Sequence, residues 1–134
     1  MSKVIHMALV DDEIDVEIIY KTFLRKEISK GIMELFFFED GQSVLDFLNG
    51  KGSNCQILIL VSDINMPNMD GLTLVEIVNK EFPHIDLYLS SAYDQSDAKE
   101  QMDQANVKNY LEKPVDFEMV KKIVHDKYEE INKD

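Results

Sequence analysis

Four side chains far apart in the sequence have the chemistry to handle a phosphoryl group. Asp11 and Asp12 close a first apolar run (Val4-Ile5-His6-Met7-Ala8-Leu9-Val10), and Asp63 closes a third (Ile57-Leu58-Ile59-Leu60-Val61). Lys113 ends a fifth run at Tyr110-Leu111 and is followed by Pro114. In a parallel sheet flanked by helices, the carboxyl ends of the strands share one edge, and ligands bind there. Clustered carboxylates repel one another and stay ionised only when a cation compensates them. The simplest arrangement is a magnesium site beside a lysine, which is a site for phosphoryl transfer.

Each residue has a role and a plainer alternative. Asp63 opens Asp63-Ile64-Asn65-Met66-Pro67-Asn68-Met69-Asp70-Gly71, a strand tip, a proline-containing turn and a glycine that permits close approach of the next helix. An aspartate exposed at such a tip can act as a nucleophile. Taken alone it reads more readily as a turn or capping aspartate. That alternative weakens because Asp11, Asp12, Ser91 and Lys113 fall at the same sheet edge. Asp11 and Asp12 supply further oxygens for magnesium, which needs only two or three carboxylates and a main-chain carbonyl beside its waters. They can also favour the start of the first helix. Ser91, in Leu89-Ser90-Ser91-Ala92, offers a hydroxyl to a phosphoryl oxygen or is an ordinary strand-end serine. Lys113 can pair with Asp63 before reaction and with the phosphoryl group afterwards. Lysine before proline at a strand end fits a fixed turn, with a cis peptide bond as one option.

The elements that must position these groups alternate five times between apolar β-branched runs and segments of helical period. Strands are expected at 3–10, 33–38, 56–62, 86–91 and 108–111. Helices are expected at 14–28, 42–48, from 70 until Pro83, at 96–105 and at 116–131. Val16, Ile19, Tyr20 and Phe23 should form the buried face of the first helix. The third and fourth strands are almost continuously apolar, as strands covered on both faces are. The alternation predicts an α/β fold, a three-layer α/β/α sandwich on a five-stranded parallel sheet with right-handed crossovers.

The chain has 134 residues, which suits a single domain over 1–134 with one core. Its net charge of −12 argues against direct binding to nucleic acid or to an anionic membrane. One cysteine, Cys55, allows no internal disulfide and suits a reducing, cytoplasmic compartment. No signal-peptide layout or membrane-length apolar run is present. Three scattered histidines and one cysteine give no zinc spacing.

With these residues in order, the chain resembles the receiver domain of two-component response regulators. The markers are Asp11-Asp12, Asp63 in its Asp-Ile-Asn-Met-Pro-Asn-Met-Asp-Gly context, Ser91-Ala92 and Tyr110-Leu-Glu-Lys113-Pro114. Together they span essentially the whole chain. The resemblance implies a flavodoxin-like strand order of 2-1-3-4-5. It implies that Asp63 accepts a phosphoryl group from a phosphohistidine on a sensor histidine kinase or a histidine phosphotransfer protein. Mg²⁺ would be held by Asp11 or Asp12, Asp63 and the main-chain carbonyl of Asn65. Ser91 would then move to the phosphoryl oxygen and Tyr110 would swing inward. That would reshape the face made by the 96–105 helix, the fifth strand and the last helix, through which a downstream protein target binds.

Some residues depart from or vary within that pattern. Ser62 stands before Asp63 where an apolar residue is usual, which suggests a more polar back wall for the nucleophile. The 49–56 link is slightly long. Tyr93 and Asn65 sit where variation tunes water access, so a long-lived aspartyl phosphate is expected. The thin apolar stripe Ala98, Met102, Ala105 suits a loosely held helix. Ile14 and Ile18 lie off the core face and either dock a partner helix or pack half-buried.

Three other functions compete. A phosphohydrolase of the haloacid dehalogenase type needs Asp-x-Asp on a first strand, whereas here Asp63-Ile64-Asn65 is on the third. A flavin module needs a hydroxyl- or glycine-rich phosphate loop where Asp11-Asp12-Glu13 stands. A receiver-like docking module that never phosphorylates would not need this full set. The expectation is therefore a signalling phosphoacceptor and not an enzyme. No output domain is evident after the last helix, which leaves a stand-alone receiver or one belonging to a longer chain.

Overall fold

The computed structural model describes residues 3–50, 57–66, 69–91 and 107–133. Five strands form one parallel sheet: β1 (Ile5–Val10), β2 (Met33–Phe38), β3 (Ile57–Asp63), β4 (Asp86–Ser91) and β5 (Asn109–Glu112). Their order is β2-β1-β3-β4-β5, as the resemblance implied. The described helices are α1 (Asp15–Phe23), α2 (Arg25–Ser29), α3 (Gly41–Asn49), α4 (Gly71–Glu81) and α5 (Phe117–Ile131). The expected 96–105 helix, together with Tyr93 and Cys55, lies outside the described residues.

Period-two alternation sorts the strand side chains into two cores. Ala8, Val10, Leu60 and Leu89 pack with Val44 and Leu48 of α3 and Leu74, Val75 and Val78 of α4. Met7, Leu9, Ile59 and Val61 pack on the other face with Tyr20, Leu24, and Val120 and Val124 of α5. Helix starts follow their capping residues. Asp40 caps α3 through the Ser43 amide at 2.7 Å, and Asp70 caps α4 through the Thr73 amide at 2.8 Å.

The first helix departs from expectation in two ways. It is interrupted at Leu24, whose ψ of 14° leaves the helical well. The i to i−4 bonds on either side survive, from Leu24 to Tyr20 at 2.9 Å and from Ile28 to Leu24 at 3.0 Å, so the break is a one-residue distortion. Its apolar stripe is also only partly buried. Tyr20 is inside and Val16 half-buried, whereas Ile19 is exposed and Phe23 is 51 % exposed. Phe23 instead stacks on Phe117 at 4.4 Å, across the gap between α1 and α5.

Candidate functional site

The strand tips bring the acidic residues together. Asp11 follows β1 directly, and Asp63 is the last residue of β3. Carboxylate oxygens of Asp11, Asp12 and Asp63 lie within 4.8 Å of one another. Asp11 is 2 % and Asp63 7 % exposed, whereas Asp12 is open to solvent. Lys113, immediately after β5, reaches Asp11 Oδ2 at 3.0 Å and Asp63 Oδ1 at 3.8 Å.

Asp11 does not cap α1. Its Oδ1 accepts the Glu13 amide at 2.9 Å, an Asx-type turn that fixes the loop after β1. Asp63 is steadied from its own turn, since the Asn65 amide donates to its carboxylate. Gly71 completes that turn. Its amide donates to Ile64 O at 2.8 Å, and a Cβ there would collide with the Asp63 carbonyl and come within 2.9 Å of Ile64 Cα. Glycine is therefore required by close approach, as the motif suggested.

Burial pushes the Asp63 carboxyl up to about 6. Lys113 opposes that rise, and the neighbouring Asp11 carboxylate adds to it. Burial also disfavours the Lys113 ammonium, but Asp11 and then Asp63 hold it above the usual lysine range. Three carboxylates face one ammonium, an excess of negative charge that a divalent cation would neutralise. An all-oxygen set of this kind is what magnesium takes. The residues present fit that ion.

The remaining expected residues fall on two sides of the sheet. Ser91 is buried, and its main-chain carbonyl accepts both the Lys113 amide at 2.9 Å and the Tyr110 hydroxyl at 3.4 Å. The Tyr110 ring is packed inward, in the core shared with α3 and α4. The Lys113–Pro114 peptide is cis. Ser62 does not line the back of Asp63. It pairs in register with Val10 and Leu89, on the opposite face, and its hydroxyl donates to the Asp63 main-chain carbonyl at 3.0 Å. Strand alternation forces this, because neighbours on a strand point to opposite faces.

The serine beside Asp63 is Ser90, which the sequence reading passed over. It pairs in register with Asp63 on the adjacent strand. Ser90 Oγ and Tyr20 Oη are buried without a hydrogen-bond partner among the described residues. Such a group forfeits about 1–3 kcal/mol. Alternation outward from Asp63 was the signal that could have found Ser90. A cavity of about 380 Å³ opens beside these residues, between α1 and α5, and is lined by Asp11, Asp63, Ser90, Lys113, Ile19 and Phe23 among others.

The architecture and the strand-tip acids define a flavodoxin-like α/β protein with an acidic pocket at the carboxyl edge of its sheet. The family model described as the response regulator receiver domain matches residues 7–125. The chain therefore belongs to the response regulator receiver family of two-component signalling. It is 31 % identical over 110 residues to the DNA-binding transcriptional regulator NtrC of Proteus hauseri, covering 82 % of this chain and 22 % of that protein. The response regulator protein FleR of Pseudomonas aeruginosa is 34 % identical over 56 residues, 42 % of this chain and 12 % of that protein. The chain thus spans about a fifth of the NtrC relative's length. Among solved structures, a CheY-like receiver domain protein from Methanospirillum hungatei superposes with a TM-score of 0.81 at 21 % identity, covering 98 % of each chain. Chemotaxis protein CheY4 of Vibrio cholerae gives 0.76 at 20 % identity, covering 92 % of this chain and 98 % of that one.

Proposed function

We propose that this chain is a phosphoacceptor in a two-component relay, as a single receiver domain over 1–134. Asp63 is the acceptor. An Asp63 carboxylate oxygen attacks the phosphorus of a phosphohistidine on a sensor histidine kinase or histidine phosphotransfer protein. The P–N bond breaks, and the imidazole leaves with the electron pair and takes up a proton. The observation that carries this reading is the convergence of three carboxylates within 4.8 Å beside the Lys113 ammonium.

Asp11 or Asp12, together with Asp63 and the Asn65 main-chain carbonyl, would hold Mg²⁺, which when bound would supply positive charge to the transferring phosphoryl group. Asp11 holds Lys113 in place, and Lys113 supplies a second positive charge at the same group. Ser91 would donate its hydroxyl to a phosphoryl oxygen, and Tyr110 would report that movement to the face that includes β5 and α5; the expected 96–105 helix of that face lies outside the described residues. A downstream protein binds there. The exposed Ile14 and Ile18 of the α1 region suit an apolar helix of the phosphodonor. Among the described residues no helix is long and apolar enough to cross a membrane, and we place the protein in the cytoplasm with its kinase's catalytic part.

Intact mass after incubation with acetyl phosphate and Mg²⁺ tests the reading. One phosphoryl adduct is expected, absent in Asp63→Asn and absent with EDTA. A folded wild-type protein with no adduct would leave only a docking role.

A further inference from the structure

Ser90 is buried on the Asp63 side of the sheet, its Oγ without a hydrogen-bond partner among the described residues. It stands in register with Asp63 on the neighbouring strand, on the same face of the sheet, and both line the cavity between α1 and α5. Adjacent strands lie about 4.8 Å apart, so a rotation about the serine's χ1 brings its hydroxyl within reach of the Asp63 carboxyl. In the resting arrangement that carboxyl is engaged by the Asn65 amide and drawn towards Lys113. A buried hydroxyl without a partner in one state points to a partner acquired in another.

We propose that Ser90 donates a hydrogen bond to the Asp63 carboxyl when the phosphoryl group leaves, and so sets the lifetime of the phosphorylated state. The inference rests on Asp63 being the phosphoacceptor. In hydrolysis a water oxygen bonds to phosphorus and the bond between phosphorus and the Asp63 oxygen breaks. The electron pair returns to the carboxylate, and both protons of the water leave with inorganic phosphate as dihydrogen phosphate. The carboxylate gains charge as it departs, and a hydroxyl donor stabilises it more than it stabilises the neutral acyl group. Ser90 therefore speeds loss of phosphate, a role separate from the one proposed for Ser91 at the phosphoryl oxygens.

The test is decay of the mass adduct after removal of acetyl phosphate, in Mg²⁺, for wild type, Ser90→Ala and Ser90→Thr. Ser90→Ala should lengthen the half-life at least threefold. Ser90→Thr keeps the hydroxyl, and the cavity of about 380 Å³ has room for its methyl group, so its half-life should stay within twofold of wild type. The melting temperature of Ser90→Ala should not fall, because no existing hydrogen bond is removed. An unchanged or shorter half-life in Ser90→Ala, or a Ser90→Thr that behaves like alanine, overturns the role of Ser90 alone. A wild type that forms no adduct overturns the phosphoacceptor reading and this inference with it.

Discussion

Lys113 is bound more closely to Asp11 than to Asp63, at 3.0 Å against 3.8 Å. Before any phosphoryl group arrives, the lysine is committed to a carboxylate other than the proposed acceptor. It thereby neutralises part of the charge that attracts a metal ion. Lys113→Ala should raise Mg²⁺ affinity about tenfold, an order-of-magnitude figure equal to roughly 1.4 kcal/mol. The same change should slow phosphorylation by acetyl phosphate about 10²-fold, by loss of a charge aimed at the transition state. Calorimetric titration with Mg²⁺ and the rate of adduct formation separate the two effects. Weaker metal binding in the variant would contradict the competition.

Gly71 ties the start of α4 to the backbone of Asp63 and Ile64. Gly71→Ala should destabilise the fold by about 2–3 kcal/mol, because backbone atoms of Asp63 and Ile64 stand in the methyl's way. Asp70→Ala removes only the cap of the same helix and should cost about 1 kcal/mol. Urea denaturation orders the two. An alanine at 71 as stable as wild type would show that the turn relaxes freely.

Glu27 and His125 pin α2 to α5 through a 3.0 Å contact. Burial opposes ionisation of Glu27, but the His125 hydrogen bond and the nearby charges of His125 and Lys121 outweigh it and leave the carboxyl below its usual range. A depressed carboxyl pKa stabilises the folded state above the unfolded value and ceases to do so as pH falls through the folded value. Wild type should exceed Glu27→Gln in stability by about 1 kcal/mol at pH 6. The gap should close as the pH falls below about 4.3, the ordinary glutamate value. Urea midpoints from pH 6 to pH 3 check this, and a gap independent of pH would remove the linkage.

Ile18 is 62 % exposed and contributes little to the core. Ile18→Asp should change stability by less than about 0.5 kcal/mol. It should leave phosphorylation by acetyl phosphate intact, and slow transfer from a cognate phosphohistidine protein at least tenfold. Equal slowing with both donors would place the defect in the pocket instead of the docking face.

The strands were legible because a sheet covered on both faces demands long apolar runs, and β4 matches its expected bounds residue for residue. The acidic edge was legible because Asp11, Asp12, Asp63 and Lys113 each end such a run. What sequence periodicity could not supply was the angle at which a stripe meets the sheet. Val16, Ile19, Tyr20 and Phe23 do share one side of α1, yet only Tyr20 is deep, and Ile19 and Phe23 rim a cavity. The two serines near Asp63 show the same limit. Ser62 is adjacent in sequence but turned away by the pleat, whereas Ser90 becomes a neighbour only through the pairing of β3 with β4. The commitment of Lys113 to Asp11 was equally hidden, since spacing brings three charges to one edge without ranking their distances.

The Ser91 carbonyl serves two donors at once, the Lys113 amide and the Tyr110 hydroxyl. Under the proposed function, detection and transmission at this strand tip would fall to different atoms of one residue. In the proposed switch the side-chain oxygen would be the detector, and the main-chain oxygen is the gear tooth that meshes with β5. Removing the hydroxyl would blind the device while leaving its gearing whole, so a Ser91→Ala protein should still pass on a displacement imposed from the Tyr110 side.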